Sequence, residues 1–226
     1  MVTRLKNRYY KRLHISEGKF RQLIRCFCLD LNAYETSKLI NVSHVHCKKI
    51  YHKLRVYIHD NMLDESIEFG EFECDESYFG AKRVKGKRGR GAIGKTPVFG
   101  LLKRDGNVFV QIVNNCSKEQ LLPIIQGKIL EGSTIHTDGF KSYDALVVNG
   151  YDHYRVFHSH NEFVRGKSHI NGIESFWSFT KRRLSQFNGV SHHTFYLHLK
   201  ESQFRFNNKF NDLYAIMLKS LRKNPL

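Results

Sequence analysis

The chain has 226 residues, enough for one or two domains, and carries 37 Lys and Arg against 21 Asp and Glu, a formal charge of +16 with a pI near 9.7. With 41% hydrophobic and 13% aromatic residues and only 3 Pro it can bury a core, which excludes a disordered basic tail. No apolar run reaches the roughly 18 residues of a membrane span. The first residues lack a signal-peptide h-region, and five cysteines are a sparse, odd set for a secreted disulfide scaffold, so a cytoplasmic protein with no membrane partner is expected. A positive surplus this large faces an anion, and nucleic acid is the commonest one for a basic protein.

In chain order, Phe20, Leu23, Ile24 and Phe27 recur at helical spacing after Ser16 and Glu17, which are start signals. A second helix fits Ala33 to Ile40. After the Asn41-Val-Ser43 break a third runs from about His44 to His59, carrying Lys48, Lys49, Lys53 and Arg55. Two short helices joined by a tight turn, the second cationic, outline a helix-turn-helix DNA-binding unit over residues 1–65, with those four cations meeting phosphate. From Glu71 to Phe79 the period changes to two, which predicts a strand. Pro97 to Lys103 and Asn107 to Val113 flank Asp105-Gly106, a hairpin turn. Ser117 with Gln120 has capping-box spacing and opens a helix that Gly132 ends. Thr134 to Thr137 forms a strand reaching Asp138, a short helix extends to Val148, and Tyr154 to Phe157 forms a fifth strand. A helix follows from near Asn171 to Leu184, then one or two more between His193 and Lys223. Strands 3, 4 and 5 joined by helices imply parallel pairing, and strands 1 to 3 an antiparallel meander: an α/β domain over 66–190 with a mixed five-stranded sheet, followed by a helical extension over 191–226.

The charge is unevenly spread. Between Arg55 and Lys82 there is no Lys or Arg but eight carboxylates, and Lys82 to Lys95 then holds seven basic residues, four glycines and no acid. Within that loop Lys85, Lys87, Arg88 and Arg90 are placed to hold phosphates, while the acids of the strand suit a metal and those from Asp60 to Glu68 read as a solvated linker face. Asp75 lies in the first strand, Asp138 at the carboxyl end of the fourth, and Glu174 on the helix after the fifth; ligand sites of open α/β sheets gather at such strand ends. An oxygen-only set of this kind suits Mg²⁺ or Mn²⁺, and two such ions suit phosphodiester displacement.

Five segments carry a resemblance: Glu73-Cys-Asp-Glu-Ser-Tyr-Phe-Gly80; Gly89-Arg-Gly with Lys95-Thr-Pro-Val-Phe-Gly100; His136-Thr-Asp-Gly-Phe-Lys-Ser-Tyr143; His158-Ser-His-Asn-Glu-Phe-Val164; and His169-Ile-Asn-Gly-Ile-Glu-Ser-Phe-Trp177 with Lys181-Arg. Over about residues 15 to 210 the chain resembles the ISXO2-like DDE transposases of bacterial insertion sequences related to the Merlin transposons. The resemblance implies an RNase H-like catalytic fold, with Asp75, Asp138 and Glu174 as catalytic metal ligands. Thirty-five residues separate the last two, and Lys181 follows seven positions later, expected on phosphate. Some relatives use an Asn as third residue, and Asn171 stands one helical turn before Glu174. The carboxylate is the better ligand for a hard cation, and Asn171 orients a ligand or contacts DNA. His158 takes a supporting role; Trp177 packs its helix onto the sheet. The cysteines form no paired CxxC pattern, so no structural zinc is expected and they bury as small apolar residues. The implied activity is cleavage at the terminal inverted repeats of a transposon and transfer of the freed 3′-hydroxyl into target DNA, by a homo-oligomer on the ends, near the bacterial nucleoid. The alternative is a non-catalytic DNA-binding protein derived from a decayed or co-opted transposase.

Overall fold

The structure is a computed structural model that describes residues 7–11, 15–63, 66–80, 94–138, 147–156 and 169–226. It divides into two units, Met1–Leu63 with Leu184–Leu226, and Asp64–Arg183.

The first unit is helical. α1 (Glu17–Cys28) starts where the Ser16 hydroxyl accepts the Lys19 N–H, and it buries Phe20, Leu23, Ile24 and Phe27. α2 (Ala33–Ile40) is fixed by a reciprocal cap between Asn32 and Glu35, then stopped by Asn41 in the left-handed conformation at φ 52°. Ser43 caps α3 (His44–Asn61), whose buried side holds Cys47, Ile50, Tyr51, Leu54 and Ile58. Two later helices, α6 (His192–Asn207) and α7 (Leu213–Lys223), supply Phe204, Met217 and Leu221 to the same core. The division drawn from sequence therefore differs: residues 191–226 are not a separate extension but close the N-terminal helical core. An ionic cluster ties the pieces together. Glu201, fully buried on α6, accepts from Arg55 Nε at 2.6 Å and from Arg205 Nε at 2.9 Å, while Arg205 Nη1 donates to the Cys28 carbonyl at 3.0 Å.

The second unit holds a five-stranded sheet in the order β3-β2-β1-β4-β5, built from β1 (Glu71–Phe79), β2 (Thr96–Lys103), β3 (Val108–Ile112), β4 (Thr134–Asp138) and β5 (Asp152–Val156). β1, β2 and β3 pair antiparallel; β4 runs parallel to β1 and β5 parallel to β4. This order and this mixture of directions make the sheet RNase H-like, as the resemblance implied. Strand alternation sends Phe72 and Cys74 to one face, where they meet Leu101, Leu121 and Ile125, the last two from α4 (Lys118–Gln126). Glu73 and Asp75 point to the other face, against α5 (Asn171–Ser185), which buries Ile173, Phe176 and Trp177.

Two local expectations fail for identifiable reasons. Ser117 makes no side-chain cap, because Gln120 turns back to accept the Asn114 N–H at 3.0 Å, and α4 stops at Gln126 so that Ile129 can bridge to Glu68. The Asp105-Gly106 turn joins β2 to β3 as expected, with Asp105 at φ 57°. The short helix expected up to Val148 falls mostly outside the described residues; a 3-10 turn at Val147–Asn149 is what they contain.

Candidate active site on β1 and at the end of β4

Sixty-odd positions apart in sequence, Asp75 and Asp138 become neighbours through strand register. The parallel pairing of β1 with β4 sets Cys74 opposite Thr137, so each strand's next residue is one of the two aspartates. Both are half-buried. Among the described residues, carboxylate oxygens of Asp75, Glu76 and Asp138 all lie within 4.8 Å of one another. Burial pushes the Asp75 carboxyl up to about 6, against the Glu76 backbone N–H that favours its charged form, and the charges of Asp138 and Glu174 add to the rise. Hard oxygen donors crowded until one resists ionising are a donor set that a divalent cation fits, since the ion replaces the proton as the neutralising charge.

α5 supplies the other wall. Its approach is close because β2 carries Gly100 opposite Asp75: a Cβ there would stand 2.6 Å from Trp177 Cζ2 and 2.9 Å from Ile173 Cδ1. Trp177 packs the helix onto the sheet as expected. It also donates from Nε1 to Asp75 Oδ2 at 3.0 Å, which fixes that carboxylate's rotamer. Glu174, in the first turn of α5, is exposed, as is Asn171 one turn earlier. Glu174 stands outside the close trio, yet its charge reaches Asp75. Lys181, two turns further on the same face, is exposed with Nζ 5.7 Å from the Phe79 ring centroid.

Glu76, Glu73 and Arg104, which the sequence marks with no individual role, support this wall together with His136, one of the histidines beside the motifs that the sequence places on phosphate or in the site wall. Glu76 joins the trio although alternation assigns it to the opposite face from Asp75; adjacency to a motif aspartate was its one signal. Glu73, 2% exposed, accepts the Ile173 backbone N–H at 2.9 Å. Arg104 links Glu71 (Nη1, 2.8 Å), Glu73 (Nε, 3.3 Å) and the His169 carbonyl (Nη2, 2.7 Å). His136 is buried with its ring stacked on Tyr154 at 5.5 Å; burial first, then Arg104, brings it down to about 4, so it is neutral at neutral pH and serves as wall. Cys74 and Cys116 are buried in this unit, as Cys26 and Cys47 are in the other, in keeping with their expected apolar role. His158 and the loop residues Lys85, Lys87, Arg88 and Arg90 lie outside the described residues.

In the helical unit Lys48, Lys49 and Lys53 are exposed along α3. Arg55, expected with them on phosphate, is a correction: it is 9% exposed, paired with Glu201, and lies 5.9 Å from the Phe27 and Tyr51 ring centroids. No described helix is long and apolar enough to cross a membrane.

A 119-residue stretch is 41% identical to an uncharacterized transposase-like protein of Haemophilus influenzae, covering 53% of this chain and 96% of that one. Over 154 residues, 63% of the chain is 30% identical to an uncharacterized protein in transposable element ISH50 of Halobacterium salinarum, of which the match spans about half, 52%. Among solved structures, the catalytic core domain of BIV integrase aligns with a TM-score of 0.39 at 14% identity, covering 68% of this chain and 96% of that one. The Mos1 transposase paired-end complex with left transposon end aligns with 0.30 at 10% identity, covering 89% and 79%. The ISXO2-like transposase domain matches residues 69–207, from the strand that carries Asp75 through α5 with Glu174 to the end of α6, and the chain belongs to that family.

Proposed function

We propose that this transposase cuts DNA at the ends of its element and joins the freed 3′-hydroxyl to target DNA, using Asp75, Asp138 and Glu174 to hold divalent Mg²⁺ or Mn²⁺. The observation that carries the reading is the parallel register that seats Asp75, in the middle of β1, beside Asp138 at the carboxyl end of β4. When bound there, divalent ions supply activation of the attacking oxygen and stabilisation of the leaving one. The chain's own groups do the rest. Trp177 keeps Asp75 turned into the site, and the half-burial of both aspartates limits competing water. Lys181, exposed on the α5 face that carries Glu174, holds a phosphate beside the scissile one. In the first step a water oxygen bonds to phosphorus, the bond to the 3′ oxygen breaks, and that oxygen leaves protonated; in the second the 3′-hydroxyl attacks a target phosphodiester and the displaced target oxygen takes the proton.

Recognition of the terminal inverted repeats belongs in this reading to α2 and α3, with Lys48, Lys49 and Lys53 on phosphate and the start of α3 in the major groove. Lys85, Lys87, Arg88 and Arg90 add phosphate contacts, His158 and Asn171 support the site, and the protein acts on paired ends as a homo-oligomer. The test is a duplex carrying the element's ends, incubated with purified protein and a plasmid target. Nicking at the end and joining to the plasmid should require Mg²⁺ or Mn²⁺ and stop with EDTA; Glu174→Ala should abolish both. Normal cutting by Glu174→Ala with none by Asn171→Ala would move the third role to Asn171, and cutting in EDTA would defeat the reading.

A further inference from the structure

A carboxylate buried on a central strand is costly to keep charged unless each oxygen has a partner. Glu73 is such a group, two residues before Asp75 and on the same face of β1. Its Oε2 accepts the Ile173 backbone N–H at 2.9 Å, and its Oε1 lies 3.3 Å from Arg104 Nε and 3.4 Å from His169 Nδ1. The Ile173 N–H is one of the first-turn donors of α5 that no helical carbonyl can reach, and a negative charge there also complements the helix dipole. The turn is pressed hard against the sheet. A Cβ on Gly172 would stand 2.3 Å from Leu102 Cδ2 and 2.8 Å from Glu73 Oε2. Arg104, held by Glu71, grips the His169 carbonyl just ahead of the helix. The residue that follows Ile173 is Glu174.

We propose that Glu73 is a positioning residue: by capping the first turn of α5 it fixes where Glu174 stands relative to Asp75 and Asp138, and so sets the divalent-ion affinity of the site. The proposal rests on the reading in which Glu174 completes that site. The acids on one face of β1 then have separate tasks, Asp75 facing the reaction, Glu73 anchoring the helix that brings Glu174, and Glu71 holding Arg104. Further along, α5 is held independently by buried Phe176 and by Trp177 on Asp75. Loss of Glu73 therefore frees the first turn without detaching the helix.

The experiment measures Mn²⁺ affinity of the full chain by electron paramagnetic resonance, with thermal unfolding recorded in EDTA. Removing a group that orients a ligand lowers metal affinity by about 10–100-fold, and Glu73→Ala is expected in that range. Because it acts through Glu174, the double variant Glu73→Ala/Glu174→Ala should bind no more weakly than Glu174→Ala alone, within about twofold. Glu73→Gln keeps an oxygen for the Ile173 N–H and should bind within about threefold of the parent. If Glu73→Ala does not fold, Gly172→Ala displaces the same turn through Leu102 and should show the same non-additivity with Glu174→Ala. Additive losses, or a lowered melting temperature with unchanged Mn²⁺ affinity, would overturn the proposal and leave Glu73 a fold residue. Unchanged affinity in Asp75→Ala would refute the metal site itself, and the proposal with it.

Discussion

Asp75→Asn should make the metal-free protein more stable while destroying its chemistry. In the folded chain the Asp75 carboxyl rises from 3.8 to about 6. At about 1.36 kcal/mol per unit, the ionised group costs the folded state about 3 kcal/mol. The sign follows from linkage. The folded protein holds this proton more tightly than the unfolded one, so there is no cost below about pH 4. The cost grows as pH rises between about 4 and 6, and it is complete above that. Asparagine never ionises, and its amide oxygen can still accept from Trp177 Nε1 at the position now occupied by Oδ2. Allowing about 1 kcal/mol for the hydrogen bond lost elsewhere, the variant should gain about 2 kcal/mol at neutral pH, or about 4–8 °C in melting temperature. Circular dichroism melts in EDTA from about pH 4 to about pH 8 measure this, the parent losing ground to the variant as pH rises between about 4 and 6. With Mn²⁺ the order should reverse, because only the parent gains binding energy. A variant no more stable than the parent at neutral pH in EDTA, or a difference that does not grow with pH, would refute the argument.

Other substitutions address separate parts of the account. Glu201→Ala strands the Arg55 and Arg205 guanidiniums in the helical core and should cost about 3–5 kcal/mol in urea unfolding; a loss under about 1 kcal/mol would mean water reaches them. Gly100→Ala drives a methyl into Trp177, so a loss of about 1–3 kcal/mol should come with weaker cleavage, seen in melts and single-turnover assays. In DNA-binding titrations of the full chain, Lys48→Ala, Lys49→Ala and Lys53→Ala should each flatten the slope of log affinity against log salt by up to about 0.9. Arg55→Lys, buried away from solvent, should leave that slope unchanged while lowering stability, and a flattened slope in that variant would place Arg55 on phosphate after all.

Much of this architecture can be read along the chain, and what cannot has a common cause. The nine-residue β1, the limits of α2 and the Ser43 cap on α3 are local matters of periodicity and capping, and sequence places them where they stand. Asp75 and Asp138 are legible because a place within a strand or at its end is a local feature, and β–α alternation implies parallel pairing. Arg55 looked like its neighbours Lys48, Lys49 and Lys53 because its partner is 146 positions away. The same distance hides the union of α6 and α7 with the N-terminal helices. On α6 the stretch Lys200-Glu201-Ser202-Gln203 is buried, so no apolar stripe announces a core helix. Glu73 and Glu76 belong to an acidic strand that suits a metal, but nothing local gives either a task of its own. What singles them out is the partner each meets in space: the first turn of α5 for Glu73, the two aspartates for Glu76.

The central claim, that paired carboxylates on neighbouring parallel strands perform metal-dependent strand cleavage, meets its most direct test in Asp138→Asn. The change keeps size and shape and removes one charge. Single-turnover nicking of a labelled duplex bearing the element's end should fall by at least about a thousandfold in saturating Mg²⁺. Affinity for the same duplex, measured in EDTA, should stay within about twofold, because the docking contacts lie on lysines and not on this acid. Cleavage within tenfold of the parent would contradict the account.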